Sequence, residues 1–551
     1  MAIFGGTGIT RGWMRMTGIA LKGKPHVRFG AAVLAVMAFA QICAGAADVS
    51  PTNITFRLMA TRRFMLDNEV VISEFVPGAV ARPSLQNAMM PYCAAAPSVK
   101  FEGGAVTLSA PEGSSAEGVL FVGGFFPGVH FSADFRSLTP DAAALLDIAP
   151  YDGSILFRVR AEPGKKVEFT ESRGGRPLAF ALANAQDVPA PPFRLSAIVA
   201  GPTILITVRK DGAVRFLGSV TLDEAPDVDI RRRDFVGFLK CAAGASLPAG
   251  GKAVLEHASV SLTAGTGQAD FCIVTDGPGF RPYMEDGRMF CTFSARAGMK
   301  YTKSVASFSP TTFDFKMEGI LLTNYGDGDP LLRNDAVNHM FRDADGTWKA
   351  VGCGWSTATH DLKERRGSGL VVMETKECPL RGIHVLQAKQ LAVGTGVKNE
   401  DPHFFFDATT NKWRLSTSTF VKGRGLRAHL WESDHWDGTY VKIAGPGAYD
   451  STGCQIMDFG GKKYVMTANI KRMRPVYEYP TLSYVGEWKC DFEPYNAECP
   501  NGRIFPAFAE MPPGYPYRYV MLTMDRQNFS GMPNPNWTYG GMYFYVANLL
   551  P

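Results

Sequence analysis

The sequence has almost no excess of charge once its first residues are set aside. Its formal charge is +5 over 551 residues, but the first acidic residue is Asp48. Five basic residues precede it: Arg11, Arg15, Lys22, Lys24 and Arg28. The rest of the chain carries 52 basic and 52 acidic residues. A nucleic-acid partner needs a basic surface, so none is expected.

The sequence also lacks an apolar run long enough to cross a membrane. The run at 29–40 (FGAAVLAVMAFA) has 12 residues, against the roughly 20 that span a bilayer. It follows a basic stretch and precedes the small residues Ala44, Gly45 and Ala46, which is the pattern of a cleaved signal peptide. We therefore predict a signal peptide at 1–46, a secreted, periplasmic or cell-surface location, and no integral membrane segment after cleavage. A membrane anchor is the alternative, and lipidation of Cys43 is a weaker one because Gln41 and Ile42 are not small.

Cysteines are few and scattered. Nine remain after residue 46, and none form a CxxC pair, so a zinc site is not expected. We predict neither a metal nor a cofactor. Cys490 and Cys499 lie close in sequence, and an exported chain could oxidise them to a disulfide.

The composition favours an all-β protein. Hydrophobic residues make up 46% and charged residues 20%, which is typical of a globular chain and excludes disorder. The 58 glycines, 36 prolines and 11% aromatics, without a long amphipathic helical run, indicate many strands and turns.

Residues 47–268 carry the pattern of a β-sandwich. Short alternating strands are predicted at Ile155–Glu162, Lys166–Ser172 and Ile204–Gly218, the last with a hairpin turn at Lys210–Gly212. The runs FVGFLKC (235–241) and KAVLEHASVSL (252–262) resemble the closing strands of concanavalin A-like jelly rolls. That resemblance implies a module that binds sugar or only supports its neighbour.

Residues 271–551 contain a repeat. Five segments join a polar turn to a strand that an aromatic residue opens, at spacings of 58, 65, 51 and 55 residues. The aromatic anchors are Phe290, Trp348, Trp413, Tyr464 and Tyr519. This period leaves room for about four strands in each repeat and predicts a five-bladed β-propeller. We expect the last strand, Gly541–Asn548, to close the ring against the first blade.

Four of the five repeats place an aspartate 12 to 14 residues before the anchor. These aspartates are Asp276, Asp335, Asp401 and Asp450, and Arg503 is near the matching place in the fifth repeat. Carboxylates from several blades that meet in one channel suit glycosidic cleavage, which needs one acid and one base or nucleophile. The alternative is that each aspartate only caps a turn.

The segment NEDPHFFFD at Asn399–Asp407, followed by Lys412–Leu415, resembles a blade of the family 43 and family 32 glycoside hydrolases, five-bladed propellers that include arabinanases, xylosidases and invertases. SDHWDGTY at Ser433–Tyr440 resembles an outer-strand phrase of the same group. The resemblance implies that Asp401 is the aspartate that tunes the reaction, Asp276 the first catalytic aspartate and Asp450 the acid.

This chain departs from the family pattern in two places. The fourth repeat reads YDSTGC at Tyr449–Cys454, where the family has a glutamate. The first repeat has Phe280 and Arg281 where the family aspartate would align most simply. In the second repeat, Arg333–Asn338 (RNDAVN) resembles the invertase phrase NDPNG without its proline, so Asp335 is a rival to Asp276.

We therefore predict an exported glycosidase that acts on a polysaccharide or oligosaccharide. His403, Arg281, Trp355 and Arg503 are the candidate residues for lining the funnel and binding substrate. The alternatives are a glycan-binding propeller that has lost its general acid, and a cell-surface scaffold without a sugar ligand.

Overall fold

The computed structural model describes residues 50–62, 70–77, 89–93, 95–298, 300–362, 369–394, 397–469, 473–493, 504–525 and 541–549. Within these ranges the protein is all-β, as predicted, with short 3-10 helices at Arg233–Phe235 and Thr359–Asp361. No helix in this part of the chain is long and apolar enough to span a membrane. The predicted signal peptide, Cys43, Cys499 and Arg503 lie outside the described residues.

The first fifteen strands lie between residues 55 and 262. They are β1 (Thr55–Arg62), β2 (Val71–Phe75), β3 (Ser98–Glu102), β4 (Ala105–Ser109), β5 (Ala116–Gly124), β6 (Val129–Leu138), β7 (Ala143–Ala149), β8 (Ile155–Ala161), β9 (Glu168–Arg173), β10 (Arg176–Phe180), β11 (Phe193–Ala200), β12 (Thr203–Lys210), β13 (Ala213–Thr221), β14 (Lys240–Leu247) and β15 (Lys252–Leu262).

Strands β2 to β15 form two antiparallel sheets that pack against each other. One sheet has the order β10-β9-β8-β7-β14-β5, and the other has the order β13-β12-β11-β6-β15-β4-β3, with β2 also paired to β15. The sheets meet closely where a Cβ on Gly123 of β5 would lie 3.1 Å from the Val260 side chain of β15. The predicted hairpin is confirmed: Lys210 pairs with Ala213 across Asp211 and Gly212, which both have positive φ. The likeness to concanavalin A-like domains stays a prediction.

The remaining strands follow residue 266. They are β16 (Gly267–Ile273), β17 (Thr275–Asp276), β18 (Met284–Glu285), β19 (Arg288–Ala297), β20 (Lys300–Phe308), β21 (Phe315–Asn324), β22 (Ala336–Arg342), β23 (Trp348–Cys353), β24 (Leu370–Thr375), β25 (Gly382–Gln390), β26 (Asn399–Asp407), β27 (Lys412–Val421), β28 (Gly425–Ser433), β29 (Val441–Ala444), β30 (Thr452–Phe459), β31 (Lys462–Ala468), β32 (Pro475–Glu478), β33 (Tyr484–Glu487), β34 (Lys489–Cys490), β35 (Ala507–Glu510), β36 (Tyr517–Met524) and β37 (Met542–Leu549).

Nineteen of these strands, together with β1, form five four-stranded blades in a ring. The blades are β16-β19-β20-β21, β22 to β25, β26 to β29, β30 to β33, and β35-β36-β37-β1. Their first strands, β16, β22, β26, β30 and β35, each contact the next, and β35 contacts β16 again. Every predicted aromatic anchor lies in the second strand of its blade. The described residues therefore form the predicted five-bladed propeller.

The outer strands of the first two blades are joined. β21 pairs with β25 in parallel, starting at Gly319 and Gly382. A Cβ on Gly319 would lie only 2.7 Å from the carbonyl oxygen of Gly382, so this approach requires glycine. The join merges the two blades into one sheet of ten strands.

The ring closes differently from the sequence-based expectation. Strand β37 is the third strand of the fifth blade, and the fourth is β1, which pairs antiparallel with β37 and in parallel with β34. The expectation that Gly541–Asn548 closes the ring against the first blade was therefore wrong, because the N-terminal strand returns to the last blade. Thr55–Arg62 thus lies in the propeller sheet, and the first blade begins at Gly267. Apart from these points, the domain limits 47–268 and 271–551 stay a prediction.

The closing strand is anchored by Phe56. Its ring is fully buried and lies 5.9 Å from the Trp488 ring and 5.4 Å from the Phe508 ring, measured between centroids. It thereby holds β1 against the fourth and fifth blades.

We predict that Phe56→Ala lowers the free energy of unfolding by about 3 to 5 kcal/mol, because the lost ring leaves a cavity. Met59→Ala on the same strand is the matched control. Met59 is 52% exposed, and its loss is expected to change stability by no more than about 0.5 kcal/mol. Thermal unfolding of both variants would measure this, and equal midpoints would contradict an anchoring role for Phe56.

Candidate active site

The first strands of three blades begin with the same irregularity. The pairing register shifts between Ala269 and Cys272 in β16, between Glu400 and His403 in β26, and between Thr452 and Gln455 in β30. Bulges of this kind redirect side chains and often border functional sites.

The residue at each of these bulges has positive φ: 52° at Asp270, 51° at Asp401 and 61° at Gly453. Positive φ costs energy for aspartate but little for glycine. Two blades thus hold a strained aspartate at an equivalent place, whereas the fourth blade has glycine there.

Asp401 is held by the neighbouring blade. Its Oδ2 accepts a hydrogen bond of 2.7 Å from the Thr452 hydroxyl and one of 3.3 Å from the backbone N–H of Gly453. Burial raises the pKa of Asp401 to about 6, and the charges of Glu400 and Asp270 add to this rise. Asp401 therefore keeps a proton in mildly acidic solution.

Asp270 has the opposite electrostatic surroundings. Burial by itself would raise the pKa of Asp270, but the positive charges of Arg296 and Lys303 outweigh it and hold this pKa below its usual value. An Arg296 guanidinium nitrogen lies 2.8 Å from Oδ2 of Asp270, and the Lys303 ammonium donates to the Asp270 carbonyl oxygen at 3.1 Å. Asp270 is therefore ionised over the range in which Asp401 titrates.

Asp401 borders a small cavity in the channel between the blades. The cavity has a volume of about 20 Å³, which is enough for a water molecule but not for a sugar ring. Its walls are formed by Phe271, Cys272, Ile273, Asp401, Pro402, His403, Gly453, Cys454, Gln455, Phe505, Pro506 and Ala507.

His403 lines the cavity as a neutral ring. It stacks on His339 with 3.8 Å between ring centroids, and burial lowers the pKa of His403 to about 3. His339 is fixed by the Thr275 hydroxyl at 2.8 Å and by the backbone N–H of Phe404, which donates to its Nδ1. Among the described residues, no group of three or more His, Cys, Asp or Glu side chains is arranged to hold a metal.

Asp335 lies at the start of β22, at the same end of the channel as Asp401. It is fully buried, and its two oxygens accept four hydrogen bonds. The donors are the Thr323 hydroxyl (2.7 Å), the Tyr325 hydroxyl (3.0 Å), the Ser356 N–H (3.0 Å) and the Ser356 hydroxyl (2.5 Å). A carboxylate so fully bound organises the loops around it.

Asp450 lies just before β30, at the same end of the channel. It is half-buried, and its Oδ2 accepts a hydrogen bond of 3.2 Å from the backbone N–H of Leu426 in the third blade. Asp450 therefore lies at the rim, tied to the hairpin between β27 and β28.

Asp276 and Arg281 lie at the opposite end of the propeller. Asp276 pairs with Arg342, the last residue of β22, whereas Asp335 precedes the first residue of that strand. The length of a seven-residue strand, roughly 20 Å, separates the two ends. Asp276 and Arg281 share a surface depression of about 260 Å³ with Phe280, Phe405 and Phe406.

Asp270 does not follow the spacing of the other aspartates. In the first blade the strands β17 and β18 are inserted between the first strand and the aromatic anchor Phe290. Asp270 therefore precedes its anchor by 20 residues instead of 12 to 14. A residue count alone gives no sign of this insertion.

No protein-family model and no curated protein matches the chain. Several solved structures are similar to half of it. An α-L-arabinofuranosidase from Lactobacillus brevis is 12% identical, with 50% of this chain and 90% of that chain covered and a TM-score of 0.34. A family 117 glycoside hydrolase from Zobellia galactanivorans is 11% identical, with coverages of 51% and 84% and a TM-score of 0.36. An α-L-arabinofuranosidase from Podospora anserina, in complex with cellotriose, is 11% identical, with coverages of 51% and 91% and a TM-score of 0.34. Because the identities and scores are this low, the function is inferred below from the geometry of this chain.

The raised pKa of Asp401 predicts a pH-dependent cost to stability. The folded protein binds this proton up to about pH 6, whereas an unfolded aspartate releases it near pH 4, so stability falls as the pH rises between these values. We predict that Asp401→Asn removes this loss. The difference in free energy of unfolding between Asp401→Asn and wild type is expected to be up to about 3 kcal/mol more favourable to the variant at pH 7.5 than at pH 4. Thermal midpoints at both pH values would measure it.

Asp434→Asn is the control for this experiment. Asp434 is exposed, and Lys412 lowers its pKa, so no such gain is expected. Parallel pH profiles for wild type and Asp401→Asn would contradict the prediction.

Proposed function

We propose that the protein is an exported glycosidase that cleaves glycosidic bonds in a polysaccharide or oligosaccharide at the Asp401 end of its propeller channel. The pair Asp270 and Asp401 carries this proposal. The two carboxyl groups lie at equivalent bulges, and the negative charge of Asp270 contributes to the raised pKa of Asp401. Export is inferred from the basic and apolar leader pattern before residue 47.

The separated pKa values suggest the roles. Glycosidic cleavage needs one carboxyl group that holds a proton and one that is ionised. Asp270, kept ionised by Arg296 and Lys303, would activate water or attack the sugar carbon. Asp401, with a pKa of about 6, would protonate the leaving oxygen.

This assignment differs from the one implied by the family 43 and 32 resemblance. There, the fourth blade supplies a glutamate as acid, but here Thr452 and Gly453 occupy this place and bind Asp401. Asp450, the nearest acid in that blade, accepts a backbone hydrogen bond at the rim. Asp401 is thus the carboxyl group best placed to carry the proton.

A second candidate function rests on the same departure. A fourth blade without a carboxyl group at the bulge is also what a binding-only propeller would have. In that case the channel mouth would hold a glycan without cleaving it, and Trp355, His403 and the rim residues would supply the contacts.

We predict that Asp401→Asn and Asp270→Asn each lower sugar release by at least about 100-fold, because each removes one of the two groups that the reaction needs. Mass spectrometry of products from plant and algal polysaccharides and from small arabinosides, xylosides, galactosides and fructosides would measure it. Asp276→Asn is the matched control and is expected to keep wild-type release, since Asp276 lies at the other end of the channel.

Each outcome decides between readings of the site. Loss in Asp276→Asn with retention in Asp270→Asn would restore the sequence-based choice of Asp276. Retained release in both Asp401→Asn and Asp270→Asn would refute the proposed pair. Glycan binding without release by the wild type would establish the binding-only propeller.

The proton on Asp401 also predicts the pH profile. Because this group must stay protonated in the free enzyme, kcat/KM is expected to fall about tenfold per pH unit above about pH 6. Initial rates between pH 4 and 9 would show this. A profile that stays flat up to pH 8 would exclude Asp401 as the proton donor.

A further inference from the structure

We propose that the N-terminal sandwich takes part in the sugar site by fixing the loop that carries Trp355, which makes Trp355 a specificity-determining residue and Arg231 a positioning residue. The inference rests on the proposed function and names a sugar ring next to the cleaved bond as the ligand of Trp355. Trp355 lies in the loop at 354–362, named the Trp355 loop, which follows β23.

The Trp355 loop begins beside the candidate site. Cys353, the last residue of β23, pairs with Ala336, the first residue of β22, which follows Asp335. Trp355 is two residues further, and its N–H donates to the Cys353 carbonyl oxygen at 3.1 Å. Two residues of chain span at most about 7 Å, so Trp355 lies near the start of β22, at the end of the propeller where Asp335 lies.

The peptide that follows Trp355 is held from both sides. On the propeller side, Asp335 accepts hydrogen bonds from the N–H and the hydroxyl of Ser356. On the sandwich side, the Arg231 guanidinium donates to the Ser356 carbonyl oxygen at 2.6 Å and to Asn334 at 3.1 Å. Every polar group of Ser356 is thus engaged.

Arg231 is itself rigid. Its side chain is 1% exposed and forms two hydrogen bonds, of 3.0 and 2.8 Å, with the buried carboxylate of Asp229. Its backbone carbonyl accepts the N–H of Leu332 at 2.7 Å, and Arg233 donates to Pro330 at 2.8 Å. The sandwich therefore binds the segment just before Asp335 as well as the Trp355 loop.

The far end of the loop is held in the same way. The Thr359 N–H donates to the Asp223 carbonyl oxygen of the sandwich at 3.0 Å. Asp361 accepts from Arg333 at 2.7 Å, and Arg333 also pairs with Asp329. Four residues thus hold the loop: Arg231 and Asp223 from the sandwich, and Asp335 and Arg333 from the propeller.

Trp355 is exposed in spite of this fixed loop. Its side chain is 43% accessible to solvent, although its neighbour Ser356 is buried. An indole ring on a rigid backbone loses little conformational entropy when a ligand packs on it, and aromatic faces line ligand sites of this kind. Trp355 therefore presents an exposed aromatic face on a fixed loop beside Asp335, and the apolar face of a sugar ring can pack on it.

The test compares kinetic constants of four single variants and one double variant on the substrate that the release panel identifies. Trp355→Ala is expected to raise KM at least tenfold with kcat within about threefold, and Trp355→Phe to restore most of the affinity. Arg231→Lys keeps the charge beside Asp229 but loses the fork that reaches Ser356, and is expected to raise KM in the same direction. Tyr151→Ala, an aromatic that is 40% exposed on the sandwich, is the matched control and is expected to keep the wild-type KM.

The double variant separates positioning from a general loss of structure. If Arg231 acts through Trp355, the variant Trp355→Ala with Arg231→Lys has the KM of Trp355→Ala alone. If the increase in KM of the double variant equals the product of the two single-variant increases, Arg231 does not act through Trp355 and the positioning role is overturned. A wild-type KM for Trp355→Ala would overturn the inference and leave the proposed function intact. If the wild type neither releases nor binds any glycan of the panel, the proposed function fails and the inference fails with it.

Discussion

The geometry of the candidate site depends on the closed ring of first strands. Five strands from distant parts of the sequence can face one channel only if the fifth blade is completed, and its fourth strand comes from the N-terminus as β1. The pairing of β1 with β37 and the burial of Phe56 between Trp488 and Phe508 complete the fifth blade. Long-range pairing of this kind makes the site a property of the whole chain, since no single blade holds both Asp270 and Asp401.

The two strained aspartates have different electrostatic environments. Asp270 lies beside two cations, whereas Asp401 receives only a hydroxyl and a backbone N–H from the fourth blade. In a low-dielectric interior, this difference separates their pKa values. Positive φ at both residues carries a backbone cost, and such costs are often found at functional sites.

The sandwich and the propeller share buried charges near the channel mouth. Arg231 with Asp229, and Arg333 with Asp329 and Asp361, lie with little or no exposure at this boundary. Buried ion pairs are a costly way to gain stability but impose a fixed geometry, because every donor must meet its acceptor. Asp335 is linked to this network through Ser356, which also accepts a hydrogen bond from Arg231. The four hydrogen bonds of Asp335 therefore help to fix the loops at this end of the propeller.

The sequence by itself determined the all-β class, the five-fold repeat, the hairpin at Asp211 and Gly212, and the place of Asp401. These features are local, because a short stretch of sequence contains the turn residues, the alternating pattern of a strand or the aromatic anchor that specifies each of them. Only the tertiary structure decided that β1 closes the ring, that Asp276 lies at the opposite end of the propeller from Asp401, that Asp335 accepts four hydrogen bonds, and that Asp270 and Asp401 lie at equivalent bulges of two blades. The physical reason is that these features depend on contacts between distant segments. The inserted strands β17 and β18, the N-terminal strand β1 and the buried charge network all change which residues meet in space. None of them produces a repeating pattern along the chain.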